Sequence, residues 1–139
     1  MNNIFNDFVN FYNDTILKIV NQWDYVPGQV RNDIVSYVHN GLQLIRDNWS
    51  RCEDRSMYNE RELFVRDPHC YENIAIIKIN SDDDGVLTYG LYMDGFTFSV
   101  TIDYEYEYGG TYISLRWKYK YQKAFYSTSN QKRTIRESK

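Results

Sequence analysis

Residues 96–121 read FTFSVTIDYEYEYGGTYISLRWKYKY, and this stretch decides the fold. Side chains of a strand point alternately to opposite faces. Over 96–108 the even positions are Phe96, Phe98, Val100, Ile102, Tyr104, Tyr106 and Tyr108, and the odd ones are Thr97, Ser99, Thr101, Asp103, Glu105 and Glu107. Gly109-Gly110 reads as a two-residue hairpin turn that pairs Tyr108 with Thr111. That register sets Tyr106 against Ile113, Tyr104 against Leu115, Ile102 against Trp117 and Val100 against Tyr119. On the other face it sets Asp103 against Arg116, Thr101 against Lys118 and Ser99 against Lys120, with Glu105 diagonal to Arg116. Opposite charges across a ladder help hold register, because a one-residue slip would bury them.

Upstream, Asp94-Gly95 signals a tight type I′ turn between strands 86–93 and 96–108. Met93 then meets Phe96, Leu91 meets Phe98, Tyr89 meets Val100 and Leu87 meets Ile102. Three strands thus share one apolar face, and a further strand over 74–79 is expected beside 86–93. A short strand at 62–66 ends at Asp67-Pro68, and the charged stretch 50–60 reads as a surface loop.

A sheet with one apolar face requires a cover, and the N-terminal third supplies it. Phe5, Phe8, Val9, Tyr12, Ile16, Ile19, Val20 and Trp23 recur at helical spacing over 4–23. After Pro27-Gly28 a second stripe follows over 28–49: Val30, Ile34, Tyr37, Val38, Gly41, Ile45 and Trp49. Gly41 within that stripe predicts close approach of another backbone. The expected architecture is α+β: two N-terminal helices packed on one face of a four- to five-stranded antiparallel meander sheet. Residues 1–126 form the single expected domain, and 127–139 a flexible, polar, basic tail.

The 139 residues, 42% hydrophobic and 17% aromatic, suffice for one core. A net charge of −3 disfavours a general nucleic-acid-binding role. Two cysteines make no disulfide framework, and the N-terminus carries no signal-peptide pattern, so a cytoplasmic location is expected. No run is long and apolar enough for a membrane span.

No catalytic motif emerges, and neither an enzyme activity nor a cofactor is expected. Asn80 to Gly85 matches the first half of an EF-hand loop, but Leu91 stands where the bidentate glutamate belongs, so the stretch reads as an Asp-Gly turn. His39, Cys52, His69 and Cys70 lack metal-ligand spacing, and no metal site is expected. The carboxylate pairs lie on a face that reads as solvated, which argues against acid catalysis.

The remaining signal is a tyrosine-rich, charge-patterned face. In size, acidity and lack of a catalytic motif, the chain is similar to small acidic bacterial or phage inhibitors such as toxin-immunity proteins; no family motif carries the similarity. It implies a protein partner with a basic surface, a toxin or nuclease. The expected contacts are Asp82, Asp83, Asp84, Asp103, Glu105 and Glu107, helped by Tyr92, Tyr112 and Arg116. Helices ahead of a curved sheet also resemble NTF2-like folds, which implies a small-molecule cavity lined by Tyr89, Tyr104, Tyr106 and Tyr119. A third reading is a homo-oligomeric structural subunit, against which Lys118 and Lys120 on the final strand argue mildly.

Overall fold

The computed structural model describes residues 3–69, 72–104 and 110–128 and the backbone of 135–138. The first apolar stripe forms one continuous helical rod: α1 (Asn3–Phe11), a π-helical stretch (Tyr12–Ile16) and α2 (Leu17–Gln22). The Leu17 N–H reaches back to the Tyr12 carbonyl, which is the wider turn. With it, Tyr12 and Ile16 stay on the buried side together with Phe8 and Ile19. The rod turns through 23–27 into α3 (Gly28–Asp47). Arg31 secures this corner, its Nε donating to the Val20 carbonyl at 2.7 Å and its Nη2 to the Val26 carbonyl at 3.3 Å. The first bond satisfies a carbonyl of the last turn of α2 that has no intrahelical partner, and the second ties the connecting turn to α3.

The strands are β1 (Cys52–Met57), β2 (Glu60–Arg66), β3 (Asn73–Ser81), β4 (Leu87–Met93), β5 (Phe96–Asp103), β6 (Tyr112–Tyr119) and β7 (Gln122–Ser127). A short β8 (Ile135–Ser138) pairs with β7, and all neighbours in the sheet are antiparallel and sequential. The sheet is therefore larger than the four to five strands expected. The stretch 50–60, read as a loop, holds β1: within this strand only Cys52 is even partly buried, so an exposed edge strand carries no alternation to detect. The expected end of the domain after Tyr126 falls inside β7. Ser127 is buried, and its carbonyl accepts a 2.9 Å hydrogen bond from Tyr25 Oη.

One face of the sheet packs on the helices. Leu63, Val65, Ala75, Ile77, Ile79, Leu91, Phe96, Phe98, Val100, Ile102, Leu115, Trp117, Ala124 and Tyr126 join Phe5, Phe8, Ile16, Val20, Ile34, Val38 and Ile45 in one core. An Arg61–Asp7 ion pair of 2.9 Å ties β2 to α1. Gly41 does mark a close approach, but by side chains: a Cβ there would stand 2.9 Å from both Leu91 Cδ2 and Met93 Sδ.

The β4–β5 register is the expected one, Met93 against Phe96 through Leu87 against Ile102. The turn joining them is not type I′, which needs positive φ at both central residues. Gly95 has φ +74°, but Asp94 is not in the positive-φ region.

The β5–β6 register departs from expectation. Ile102 faces Ile113, Val100 faces Leu115, Phe98 faces Trp117 and Phe96 faces Tyr119. The described ladder ends at Asp103 opposite Tyr112, and Tyr108 and Gly109 of the expected Gly-Gly turn lie outside the described residues. Parity survives because the displacement is an even number of residues, and every face assignment in the two strands holds. The expected charge pairs do not. Asp103 faces Tyr112, Thr101 faces Ser114, and Arg116 faces Ser99. Tyr104, expected on the inner face opposite Leu115, is 58% exposed beyond the end of β5. Packing of Phe96 and Phe98 against Tyr119 and Trp117 outweighs pairings worth only about 0.2–1 kcal/mol each. β6 is also interior, flanked by β5 and β7, so Lys118 guards no sheet edge.

Candidate functional site

In a sequential meander, alternate connections fall at the same end of the sheet. The β1–β2 turn, the β3–β4 loop and the end of β5 meet this way. Ser81 N–H donates to the Asn59 carbonyl at 2.9 Å, joining the first two. Tyr58 Oη and Asn59 Nδ2 both donate to Asp83 Oδ1, at 3.3 and 3.4 Å. Leu87 pairs with both Ser81 and Ile102, which brings Asp103 beside this loop.

The loop shapes itself. Asp82 Oδ1 accepts from the Asp84 and Val86 N–H groups at 2.9 and 3.0 Å, and Gly85 N–H donates to the Asp82 carbonyl. Gly85 sits at φ +81°, where a Cβ would be strained. This is the Asp-Gly turn expected from sequence. It leaves the Asp83 and Asp84 carboxylates at an exposed tip.

Apolar surface gathers at the same end. Met57 is 65% exposed and Tyr58 89%; with Tyr104 they are three of the five large hydrophobic side chains that are exposed among the described residues. A dent of about 340 Å³ opens beside Met57 and Tyr58, lined also by Glu60, Ile79 and Tyr89. At its floor Tyr89 stacks on Phe11 with ring centroids 3.8 Å apart. Burial, then the Asp7 carboxylate, raises the Tyr89 phenol above its ordinary value.

The residues singled out from sequence divide into two groups. Asp82, Asp83, Asp84, Asp103 and Tyr112 share the acidic end. Tyr92 and Arg116 lie elsewhere, on the outer sheet face. Arg116 faces Ser99, four residues before Asp103, about 13 Å along the strand at 3.3 Å per residue. Glu105, Glu107 and Tyr106 lie outside the described residues, as does Cys70. Met57 and Tyr58 were not anticipated as site residues, and Tyr104 was expected on the inner face as a cavity-lining residue rather than at the acidic end. The one available signal for the first two was Tyr58-Asn59, a turn-compatible pair hidden in a polar stretch.

The outer face carries further chemistry. Phe64 is buried there beneath the guanidinium groups of Arg55 and Arg66, 5.7 and 5.2 Å from its ring. Beside it, buried Glu62 accepts a 2.9 Å ion pair from Arg55. Glu60 hydrogen-bonds to Glu62, which raises the Glu60 carboxyl and lowers that of Glu62; the Arg55 guanidinium lowers Glu62 further.

Between the layers, the tyrosines expected to line a cavity are used otherwise. Tyr89 packs on Phe11, Tyr119 packs on Tyr37 with centroids 4.9 Å apart, and Tyr104 points away from the interior. Cys52 Sγ lies 3.5 Å from the Asn48 carbonyl, its thiol raised by burial, as suits a packed rather than a reactive sulfur. No group of three or more metal-ligating side chains occurs among the described residues, and no helix among them is long and apolar enough to cross a membrane.

Compared with known proteins, the chain matches no family model, no curated protein and no solved structure.

Proposed function

We propose that the chain is a non-catalytic binding protein whose acidic end masks a basic site on a partner protein, in the manner of an inhibitor. One observation supports this reading above the others: exposed Met57 and Tyr58 line a dent with Glu60 and Tyr89 at the same end of the sheet that carries Asp82, Asp83, Asp84, Asp103 and exposed Tyr104. Aromatic side chains and methionine enrich the centres of protein interfaces, while carboxylates steer a basic partner and discriminate against an acidic one. A dent walled by Tyr58, Tyr89 and Glu60 suits an arginine or lysine side chain of that partner, held through cation–π and carboxylate contacts. The chemistry needs no nucleophile, metal or cofactor from this chain.

The test is site-specific photo-crosslinking from position 58 in lysate of the native host. The expected result is one discrete adduct with a basic protein, abolished by Asp83→Lys and weakened by Tyr104→Ser. The purified partner's activity should then fall on adding the wild-type chain and not the Asp83→Lys variant. An adduct indifferent to charge reversal, or none at all, refutes the reading.

A further inference from the structure

The outer sheet face holds a second groove that the acidic end does not use. It measures about 340 Å³ and spans β4 to β7, with Tyr92, Thr97, Ser99, Arg116, Lys118 and Lys123 among its lining. Lys118 stands directly opposite Lys123 in the ladder, and Arg116 is two residues from Lys118 on the same face. Like charges set directly opposite destabilise a sheet. None of the three has an ion-pair partner among the described side chains; Glu137 of β8 occupies the register position opposite Lys123. The concentration of positive charge is unusual in a chain of net charge −3.

The groove is also shaped. Tyr92 folds back over Gly90, where a Cβ would come within 2.7 Å of its ring. This ring forms one wall, with Lys78 Nζ 5.6 Å from its centroid. The Arg116 guanidinium lies 4.7 Å from the centre of the Phe125 ring, which holds it in place and leaves its N–H fork to donate. Thr97 and Ser99 add hydroxyls on the floor.

We propose that this groove binds a small phosphorylated ligand, its phosphoryl oxygens held by Arg116, Lys118 and Lys123. Arginine and lysine with hydroxyl donors are the chemistry that recognises phosphate. The volume falls at the small end of the range for small-molecule sites. A long polyanion fits poorly. Beyond Tyr92 the face turns acidic at Glu60, which lines the next depression with Lys78. Along β5 it meets Asp103. Carboxylates at both exits favour a compact ligand over a nucleic-acid strand.

The experiment is calorimetric titration of the full chain with sodium pyrophosphate, with amide shifts followed by NMR. Saturable binding is expected, with shifts centred on Thr97, Ser99, Arg116, Lys118 and Lys123. Arg116→Gln and Lys118→Glu should each weaken it by about tenfold or more, the scale of a lost charge-assisted contact. Asp83→Lys should leave it unchanged, so this result and that of the acidic end are independent. Unsaturable binding, shifts centred on the basic C-terminal residues, or no effect of either variant would overturn the proposal. So would a short single-stranded oligonucleotide binding more tightly through the same residues, which would assign the groove to nucleic acid.

Discussion

Lys118→Glu should make the protein more stable while weakening phosphate binding by about tenfold or more. The reasoning starts from register: Lys118 faces Lys123 on one side and neutral Thr97 on the other. The substitution turns a like-charged pair into an opposite pair. An opposite pair contributes about 0.2–1 kcal/mol and a like pair costs a similar amount, so the full swing is about 0.4–2 kcal/mol. Both side chains are part-exposed, and solvent screening cuts this to about 0.5–1 kcal/mol. Intrinsic strand preference cancels, because lysine and glutamate are both depleted in strands. With a urea m-value of about 2 kcal/mol/M, the unfolding midpoint rises by about 0.2–0.5 M with m unchanged. Lys118→Gln, which removes repulsion without adding attraction, should give about half of that. In about 1 M NaCl the Debye length falls to about 3 Å and the gain should largely vanish. A variant no more stable than wild type, or a gain that ignores salt, would refute the idea that these cations repel one another. The outcome also protects the binding test, since a stabilised variant that loses pyrophosphate has not lost it by unfolding.

Two further expectations concern groups held off their ordinary chemistry. Glu60 is raised by its hydrogen bond to Glu62, so its ionisation works against folding as pH climbs from its unfolded value through its folded one. Glu62 is depressed, so its contribution is present above its unfolded value and lost as pH falls through its folded one. Glu60→Gln keeps a donor for Glu62 without titrating. Its urea midpoint should exceed that of wild type near neutrality, and the gap should close as pH drops toward roughly 4; a gap that widens in acid would contradict the shared-proton arrangement. Tyr12 Oη is buried in the π-helical stretch with no hydrogen-bond partner among the described residues, and burial pushes the phenol up to about 12. Tyr12→Phe should therefore stabilise by about 1 kcal/mol in urea unfolding, and a loss of stability would mean that the hydroxyl is satisfied.

Alternation along 96–103 and 112–119 was enough to assign the faces of both strands, and helical spacing placed Phe8, Ile16, Ile34 and Ile45 in the core. These are properties of each element alone: a strand or helix that buries the wrong side loses its apolar burial whatever its neighbours are. The acidic loop 82–85 was legible too, because an aspartate side chain accepts from backbone N–H groups two and four residues on and a glycine takes the positive φ that closes the turn. The β5–β6 register was not. The Gly-Gly-centred alignment and the observed one differ by an even number of residues and keep the same parity, and ring packing of Phe96 and Tyr119 on Tyr37 favours the observed one. Strand β1 escaped notice because an exposed edge strand needs no apolar alternation. Strand β7 escaped because its turn places Lys120 at φ 56°, a conformation that lysine does not advertise. Both candidate sites rest on those undetected elements. β1 carries Met57 and leads into Tyr58 at the acidic end, and β7 brings Lys123 and Phe125 against Lys118 and Arg116. Local sequence decides which side of an element is buried; which elements become neighbours, and so which charges share a groove, is decided by packing energy summed over the whole sheet.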